Sequence, residues 1–390
     1  MQLTVIIVNY NVKHYVEQCL RAVVRAAERA EAEWEAYVVD NASQDGSKEH
    51  FEKTFPQADF PMIHCIYNAR NVGFSRANNQ AVKQAKGDYV LFLNPDTVVA
   101  ESVFLDLFGF FKKQERVGAV GVKMLNDCGV FAQESRRAMP TPWVSFCKMS
   151  GLTALFPASK TFGKYYVGYL DKEQPCEVEI LSGAFMLASC AALAECGSFD
   201  EDFFMYGEDI DLSYRFIKHG YKNFYLPSPI LHYKGESTHK SSYRYAHVFY
   251  EAMLIFFRKH YGHLSWFFTF PIKCAIVFKA LLTILQQQVR SIQPSAEDKL
   301  SFAYVGSQAN YRVAQELAGK WQISLTDMGA VFSEAVLAEG GVRFTHILID
   351  TSVVSYEAAL RGFEKSDHRQ SMAFFYPQEA KIVTGTAIYQ

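Results

Sequence analysis

Val5-Ile6-Ile7-Val8-Asn9-Tyr10-Asn11 sets four β-branched residues in a row directly before a polar triplet. β-branched side chains suit an extended backbone, so this stretch reads as a strand that ends in a loop. A helical segment to about Glu33 follows, and then short strands at Tyr37 to Val39, Ile63 to Tyr67 and Tyr89 to Leu93. The alternation predicts βαβ units and a mixed, mostly parallel sheet of the α/β class. In such sheets the loops beyond the carboxyl ends of the strands carry ligands. Asn9-Tyr10-Asn11, Asp40-Asn41-Ala42-Ser43, Asn71-Val72-Gly73 and Asn94-Pro95-Asp96 follow those strands or lie just beyond them, and are expected to converge on one edge.

From about Cys128 to Cys176 the pattern weakens into Pro, aromatic and basic residues, including Arg136, Arg137, Pro140, Pro142 and Trp143. This reads as a long mobile excursion over the site. Order returns with Val178 to Leu187, a helix from about Glu208 to His219 closed by Gly220, and a strand through Tyr225 to Tyr233. After Pro294 the alternation restarts: Phe302 to Val305, a helix to Lys320, His346 to Ile349, a helix to Phe363, and Ala373 to Tyr376. Three units are expected: 1–240 with the main sheet, a helical, apolar and basic segment over 241–293, and a small α/β domain over 294–390.

The chain has 390 residues, 49% of them hydrophobic, and a formal charge of -2. That length suits one large core and a smaller unit, and the charge gives no reason to expect nucleic acid as a partner. Eight cysteines are scattered without a Cys-x-x-Cys pair, which fits free thiols in a reducing compartment. The N-terminus lacks the features of a signal peptide, so a cytoplasmic location is expected.

Several side chains carry candidate chemistry, each beside a simpler alternative. Asp40, with Asn41, Ser43, Asp45 and Gly46 after it, can accept a hydrogen bond from the imide N–H of a uracil or thymine ring; the same residues also build an ordinary Asx turn. Asn94-Pro95-Asp96 presents a carboxylate at the sheet edge, a hard ligand suited to Mg²⁺ or Mn²⁺ on a diphosphate; Asn-Pro also simply ends strands. In Phe203-Phe204-Met205-Tyr206-Gly207-Glu208-Asp209-Ile210-Asp211, helix capping accounts for part of the carboxylate cluster, and Asp211 pairs with Arg215 at i,i+4. Glu208 and Asp209 follow aromatic residues and a glycine, where desolvation readies a carboxylate as a base. His232, at the end of a strand, is a candidate to complete a cation shell with Asp96; most histidines so placed are not ligands. His239 is the weaker choice.

Together these stretches, with Ser182-Gly183-Ala184-Phe185 and Asn71-Val72-Gly73-Phe74-Ser75-Arg76-Ala77-Asn78-Asn79, resemble family 2 glycosyltransferases of the GT-A fold, in particular the bacterial rhamnosyltransferase-like branch. The likeness covers about residues 1 to 260. It implies an inverting, metal-dependent transfer of sugar from a nucleotide diphosphate donor to a glycan or lipid-linked acceptor. It implies donor contacts from Asn9, Asn11, Asp40, Asn71, Gly73, Arg76, Asn94 and Asp96, a divalent cation (Mn²⁺ or Mg²⁺) on Asp96 and His232, and Asp209 as general base with Glu208 as second choice. Two departures stand out: Asn94 where many relatives have a first Asp, and no arginine after Ser182-Gly183-Ala184, where Leu187-Ala188-Ser189-Cys190 follows.

Leu264 to Leu285 is apolar and nearly long enough for a bilayer span. Lys273, Lys279 and Pro271 interrupt it, so an interfacial helix at the inner membrane is the expectation, helped by Lys234, Lys240, Arg244, Arg258 and Lys259; a buried helix or a dimer contact is the alternative. The rival functional reading is a degenerate scaffold that binds a sugar nucleotide or a partner without catalysis. A nucleotidyltransferase would need a Gly-rich loop where this chain has Asn9-Tyr10-Asn11. No role is readable for the last unit, where Val305-Gly306-Ser307-Gln308 lacks the dinucleotide fingerprint.

Overall fold

The computed structural model describes residues 2–233, 243–262, 300–333, 336–337 and 344–390. Strands β1 (Gln2–Asn9), β2 (Glu33–Asp40), β3 (Ile63–Tyr67), β4 (Tyr89–Leu93), β5 (Thr97–Val99), β6 (Val117–Leu125), β7 (Arg136–Arg137), β8 (Cys176–Val178), β9 (Ile180–Leu181), β10 (Phe185–Ser189) and β11 (Lys222–His232) come first. The main sheet runs β3-β2-β1-β4-β10-β6-β11-β5, with β8 also on β11. β3, β2, β1 and β4 are mutually parallel. β10 runs against both β4 and β6, β11 runs with β6, and β5 and β8 run against β11. Six strands therefore share one direction, the mixed, mostly parallel sheet expected.

Helices α1 (Lys13–Arg29), α2 (Ser47–Thr54), α3 (Phe74–Val82), α4 (Val103–Phe111), α5 (Pro142–Met149), α6 (Leu152–Leu155), α7 (Cys190–Cys196), α8 (Glu208–Lys218) and α9 (Tyr243–Tyr261) connect or follow these strands. β1 is apolar along its length because both faces are covered. Leu3, Val5 and Ile7 join Val16, Leu20 and Val23 of α1 and Phe104 and Leu107 of α4. Ile6 and Val8 join Ala77 and Ala81 of α3 and Leu212 and Phe216 of α8.

Two local features aim the site. In β11 the register to β6 slips between Leu226 and Pro229, because Pro227 and Pro229 have no N–H to give the ladder. Before the slip β11 pairs with β8, and after it Ile230 to His232 pair with β5, which brings His232 level with Thr97. The segment read as a mobile excursion carries α5, α6 and a tight turn at Lys164–Tyr166. It is rooted where β7 pairs with β9, Arg136 opposite Leu181. Thr141 caps α5 by accepting the Val144 N–H, with Pro142 in the first turn, where a missing N–H costs nothing.

The chain ends in a second sheet, with β12 (Ser301–Val305), β13 (Ser324–Asp327), β14 (His346–Asp350), β15 (Ser371–Tyr376), β16 (Lys381–Val383) and β17 (Ile388–Tyr389) in the order β13-β12-β14-β15-β16-β17. Its apolar face shares one continuous core with α1, α4 and β5. Polar contacts cross the same boundary. Glu101 accepts the Tyr356 and Glu357 N–H groups at 2.9 and 2.7 Å, at the start of helix Tyr356–Glu364. Tyr15 donates its hydroxyl to the Thr384 carbonyl at 2.9 Å, and Lys381 meets Glu17. Among the described residues no helix is long and apolar enough to cross a membrane. Leu264 to Leu285, Lys234, His239 and Lys240 lie outside the described residues.

Candidate active site

The loops after β1 and β2 are zipped together by side chains. Asn9, fully buried, donates from Nδ2 to Asp40 Oδ1 at 2.6 Å and to Ser47 Oγ at 2.8 Å. The other Asp40 oxygen accepts the Ser43 N–H at 3.1 Å. Asn11 takes a left-handed conformation (φ 58°), which asparagine tolerates. From there its Oδ1 accepts the Gln44 N–H at 2.7 Å, while its own N–H donates to Ser43 Oγ at 2.9 Å. Asp40 is thus aimed, with lone pairs left to accept from a ligand.

Asn41 organises the next loop. Its Oδ1 accepts the Val72 N–H at 3.0 Å and its Nδ2 donates to Asn71 Oδ1 at 2.9 Å; Asn71 Oδ1 also accepts the Gly73 N–H at 3.0 Å. Gly73 has φ of 90°, and a Cβ there would stand 2.8 Å from the Phe204 carbonyl oxygen. Only glycine allows that approach, and the Phe74 N–H then bonds the same carbonyl at 2.7 Å. Asn71 and Gly73 are so drawn to the loop ahead of α8. Arg76 is not drawn in with them: it is exposed and its Nε lies 3.5 Å from Glu201.

Asp96, buried just past β4, has its Oδ1 3.4 Å from His232 Nε2. Asn94 Nδ2 lies at 3.4 Å from the same ring nitrogen, and the Tyr233 N–H donates to the Asp96 carbonyl at 3.0 Å. His232 Nδ1 is buried with no hydrogen-bond partner among the described residues. Neighbouring ligands of an octahedral ion held at ~2.1 Å stand about 3 Å apart. The Asp96–His232 spacing and the oxygen-plus-imidazole donor set therefore fit a divalent cation, which Asp96 and His232 would hold. A second group of possible ligands, His14, Glu17 and His50, sits on α1 and α2. There Glu17 is already paired with Lys381 and Arg21, so protein cations occupy the place of a metal.

At the start of α8, Tyr206 and Gly207 both have positive φ, 68° and 83°, a tight turn that points the following carboxylates inward. Asp209 is held at both oxygens: Oδ2 by Arg137 at 2.5 Å and the Gly183 N–H at 3.1 Å, Oδ1 by the Ile210 N–H at 2.8 Å. Glu208 is buried beside it, with Oε2 lacking a hydrogen-bond partner among the described residues. Burial first, and the Asp209 charge second, push its carboxyl far above the usual range, as expected for a desolvated acid near a like charge. Asp211 plays the bland role: it pairs with Arg215 and His260 at 2.7 and 2.6 Å. The Asn94 N–H donates to Ala184 O at 2.9 Å, so Ser182-Gly183-Ala184 links the Asp96 and Asp209 ends into one rim. Sequence reasoning missed Arg137 as the partner of Asp209, and Asn41 as an organiser. Arg136-Arg137 in an otherwise acid-poor stretch was the available signal for the first.

Residues 4–197 match the family model of glycosyl transferase family 2. The chain belongs to that family. Among relatives, this glycosyltransferase is 27% identical over 270 residues to the N-acetylglucosaminyl-diphospho-decaprenol L-rhamnosyltransferase of Mycobacterium tuberculosis, covering 62% of this chain and 82% of that one. It is 25% identical over 227 residues to the poly-beta-1,6-N-acetyl-D-glucosamine synthase of Staphylococcus aureus, covering 58% of this chain and 48% of that one. Among solved structures, the mannosyltransferase PcManGT from Pyrobaculum calidifontis, in complex with GDP-Man and Mn2+, aligns with a TM-score of 0.46 and 16% identity over 74% of this chain and 79% of that one. The family match and the mycobacterial relative together support the family 2, rhamnosyltransferase-like resemblance; the family match itself ends at 197, ahead of both Asp209 and His232.

Proposed function

We propose that this glycosyltransferase moves one sugar from a dTDP- or UDP-sugar to a hydroxyl of a glycan or lipid-linked acceptor, with inversion, in cell-envelope polysaccharide synthesis. The observation that carries the reading is the single rim on which Asp40, the Asp96–His232 pair and Asp209 stand. Asp40 reads the base through its free acceptor capacity; Asn9 holds it, and Asn11 holds the loop just beyond it at Ser43 and Gln44. Asn71 and Gly73 line the nucleotide; Asn94 and Asp96 face the diphosphate; Arg76, exposed on α3, is the loosest of the donor contacts. Asp96 and His232 would hold a Mn²⁺ or Mg²⁺ ion, which when bound neutralises the departing diphosphate.

Asp209 takes the proton of the acceptor hydroxyl as its oxygen bonds the anomeric carbon and the carbon–diphosphate bond breaks on the opposite side. Glu208 is the second choice for this step, because burial first and the Asp209 charge second push its carboxyl far above the usual range, which favours the protonated form over the carboxylate that accepts a proton. The acceptor of the mycobacterial relative is, by its name, carried on diphospho-decaprenol. That supports a lipid-linked acceptor here and contact with the cytoplasmic face of the inner membrane.

Calorimetric titration of UDP and dTDP, in Mn²⁺ and then in EDTA, tests the donor side. Metal-dependent binding that disappears in Asp96→Ala is expected. Binding of neither nucleotide would overturn the reading, and equal binding in EDTA would remove the metal from it.

A further inference from the structure

The segment between β6 and β8 meets the catalytic rim at its root, through Arg137 and Met139. Its distal part turns an apolar face to solvent. On α5, Val144 and Cys147 are buried, whereas Trp143, Phe146 and Met149, three residues apart, are 49%, 54% and 54% exposed. After Gly151 the chain adds Leu155 at 71% and Phe156 at 51%. The rings form a continuous surface: Trp143 stacks on Phe146 at 5.7 Å and meets Phe162 at 6.2 Å, and Phe162 meets Phe156 at 5.6 Å. Burying Val144 and Cys147 satisfies the fold, so the outward stripe has no structural need. A contiguous exposed apolar patch of this kind marks an interaction surface.

Charge selects the partner. From Met139 to Leu170 the sequence has Lys148, Lys160 and Lys164 and not one Asp or Glu, in a chain whose formal charge is -2. Lys148 and Lys160 are both exposed; the Lys148 ammonium also donates to the Tyr166 hydroxyl and stands 3.9 Å from that ring's centre. A second copy of the same surface would set lysines against lysines with no acid to offset them. A Trp, Phe and Leu face rimmed by lysine is instead the composition of elements that lie in the headgroup region of anionic bilayers.

We propose that the α5–α6 hairpin is a membrane-interface anchor, seating Trp143, Phe146, Met149, Leu155 and Phe156 among the headgroups of an anionic leaflet with Lys148 and Lys160 at the lipid phosphates. It deepens the membrane contact proposed above and gives it a surface distinct from Leu264 to Leu285. The geometry couples the anchor to the chemistry. Arg137, in the strand at the hairpin's root, holds Asp209. Met139, at its base, packs with Phe203, Ile210 and Phe256. A hairpin lying in the interface keeps the base-bearing rim at headgroup level, where the hydroxyl of a lipid-linked acceptor stands.

The test is co-sedimentation of the full-length protein with vesicles of phosphatidylcholine alone or mixed with phosphatidylglycerol, without donor. One variant carries Trp143→Ser, Phe146→Ser, Leu155→Ser and Phe156→Ser; a second carries Lys148→Glu and Lys160→Glu. All six side chains are exposed, and circular dichroism checks that both variants keep the fold. The wild type is expected to partition onto the mixed vesicles, with losses of about tenfold or more in each variant. Unchanged partition of the four-serine variant overturns the proposal, as does a wild-type dimer that this variant dissolves in the absence of vesicle binding. Nucleotide titration on the same samples reads the catalytic proposal separately. A protein that binds vesicles through the hairpin but no nucleotide would fail only the latter.

Discussion

At the scale of single residues, the two adjacent carboxylates differ through their surroundings. Asp209 has Arg137 and two backbone N–H donors, while Glu208 has burial and a like charge. Asp209→Asn keeps the shape and some of the hydrogen bonding but removes the proton acceptor. Turnover should fall by about 10²- to 10⁴-fold, with the nucleotide dissociation constant changed less than about threefold; a turnover within threefold of wild type would end the assignment. Glu208 makes a pH prediction. Its pKa is raised from 4.5 in the unfolded chain to about 8 in the fold, so the folded state binds the extra proton between those values and stability falls as pH rises through that window. Glu208→Gln should remove this slope. Urea midpoints should show the variant gaining on the wild type from pH 5 to 9, by on the order of a few kcal/mol at the upper end. The Glu-Asp pair was legible in the sequence as a helix start with catalytic potential. That Arg137 holds Asp209 was not, because the two stand 72 residues apart in the chain.

At the scale of elements, the strands were legible because β-branched runs alternate with helical segments, and the loops after them were placed by the parallel order of β1, β2, β3 and β4. Loop shape was less legible. The turn at Gly73 depends on Phe204, which nothing near Gly73 in sequence announces. Gly73→Ala must place a methyl at positive φ, 2.8 Å from a carbonyl oxygen. A cost of about 1–3 kcal/mol is expected, together with at least tenfold weaker nucleotide binding if the loop carries Asn71 away with it. Thermal melting and titration of the same sample would show both; a variant that melts and binds as wild type would mean that the loop yields freely. The bulge at Pro227-Ser228-Pro229 is a second case. Two prolines in a strand announce an irregularity, yet the result, His232 beside Asp96, depends on which strands flank it.

At the scale of the whole molecule, the second sheet is joined to the transferase sheet by one core and a buried ionic cluster. Glu17 is 1% exposed and meets Lys381, His50 and Arg21. Burial by itself raises its pKa, but His50, Lys381 and Arg21 together bring it down to about 2. A depressed carboxylate stabilises the fold above the unfolded value of 4.5 and loses that contribution as pH falls toward 2. Acid should therefore loosen this joint. Glu17→Gln leaves the Lys381 charge buried without its counter-ion, which costs about 3–5 kcal/mol. The variant should lower the melting temperature and speed proteolytic release of a fragment containing residues 300–390 at neutral pH. Wild-type melting and cleavage would show that the apolar contacts carry the joint alone.

By itself the sequence determined the class of fold, the order of its strands and helices, the family, and the few polar residues ahead of which the chain turns. These follow from local pattern: side-chain branching, periodicity, and the kinds of residue that end a strand or begin a helix. Only the tertiary structure decided that Asp209 answers to Arg137, that His232 faces Asp96 and that Arg76 faces Glu201. It also decided that Glu17 of the first helix is buried against Lys381, 364 residues on. Each depends on electrostatics and packing between segments distant along the chain, whose strength is set by separation and burial and which no local pattern encodes.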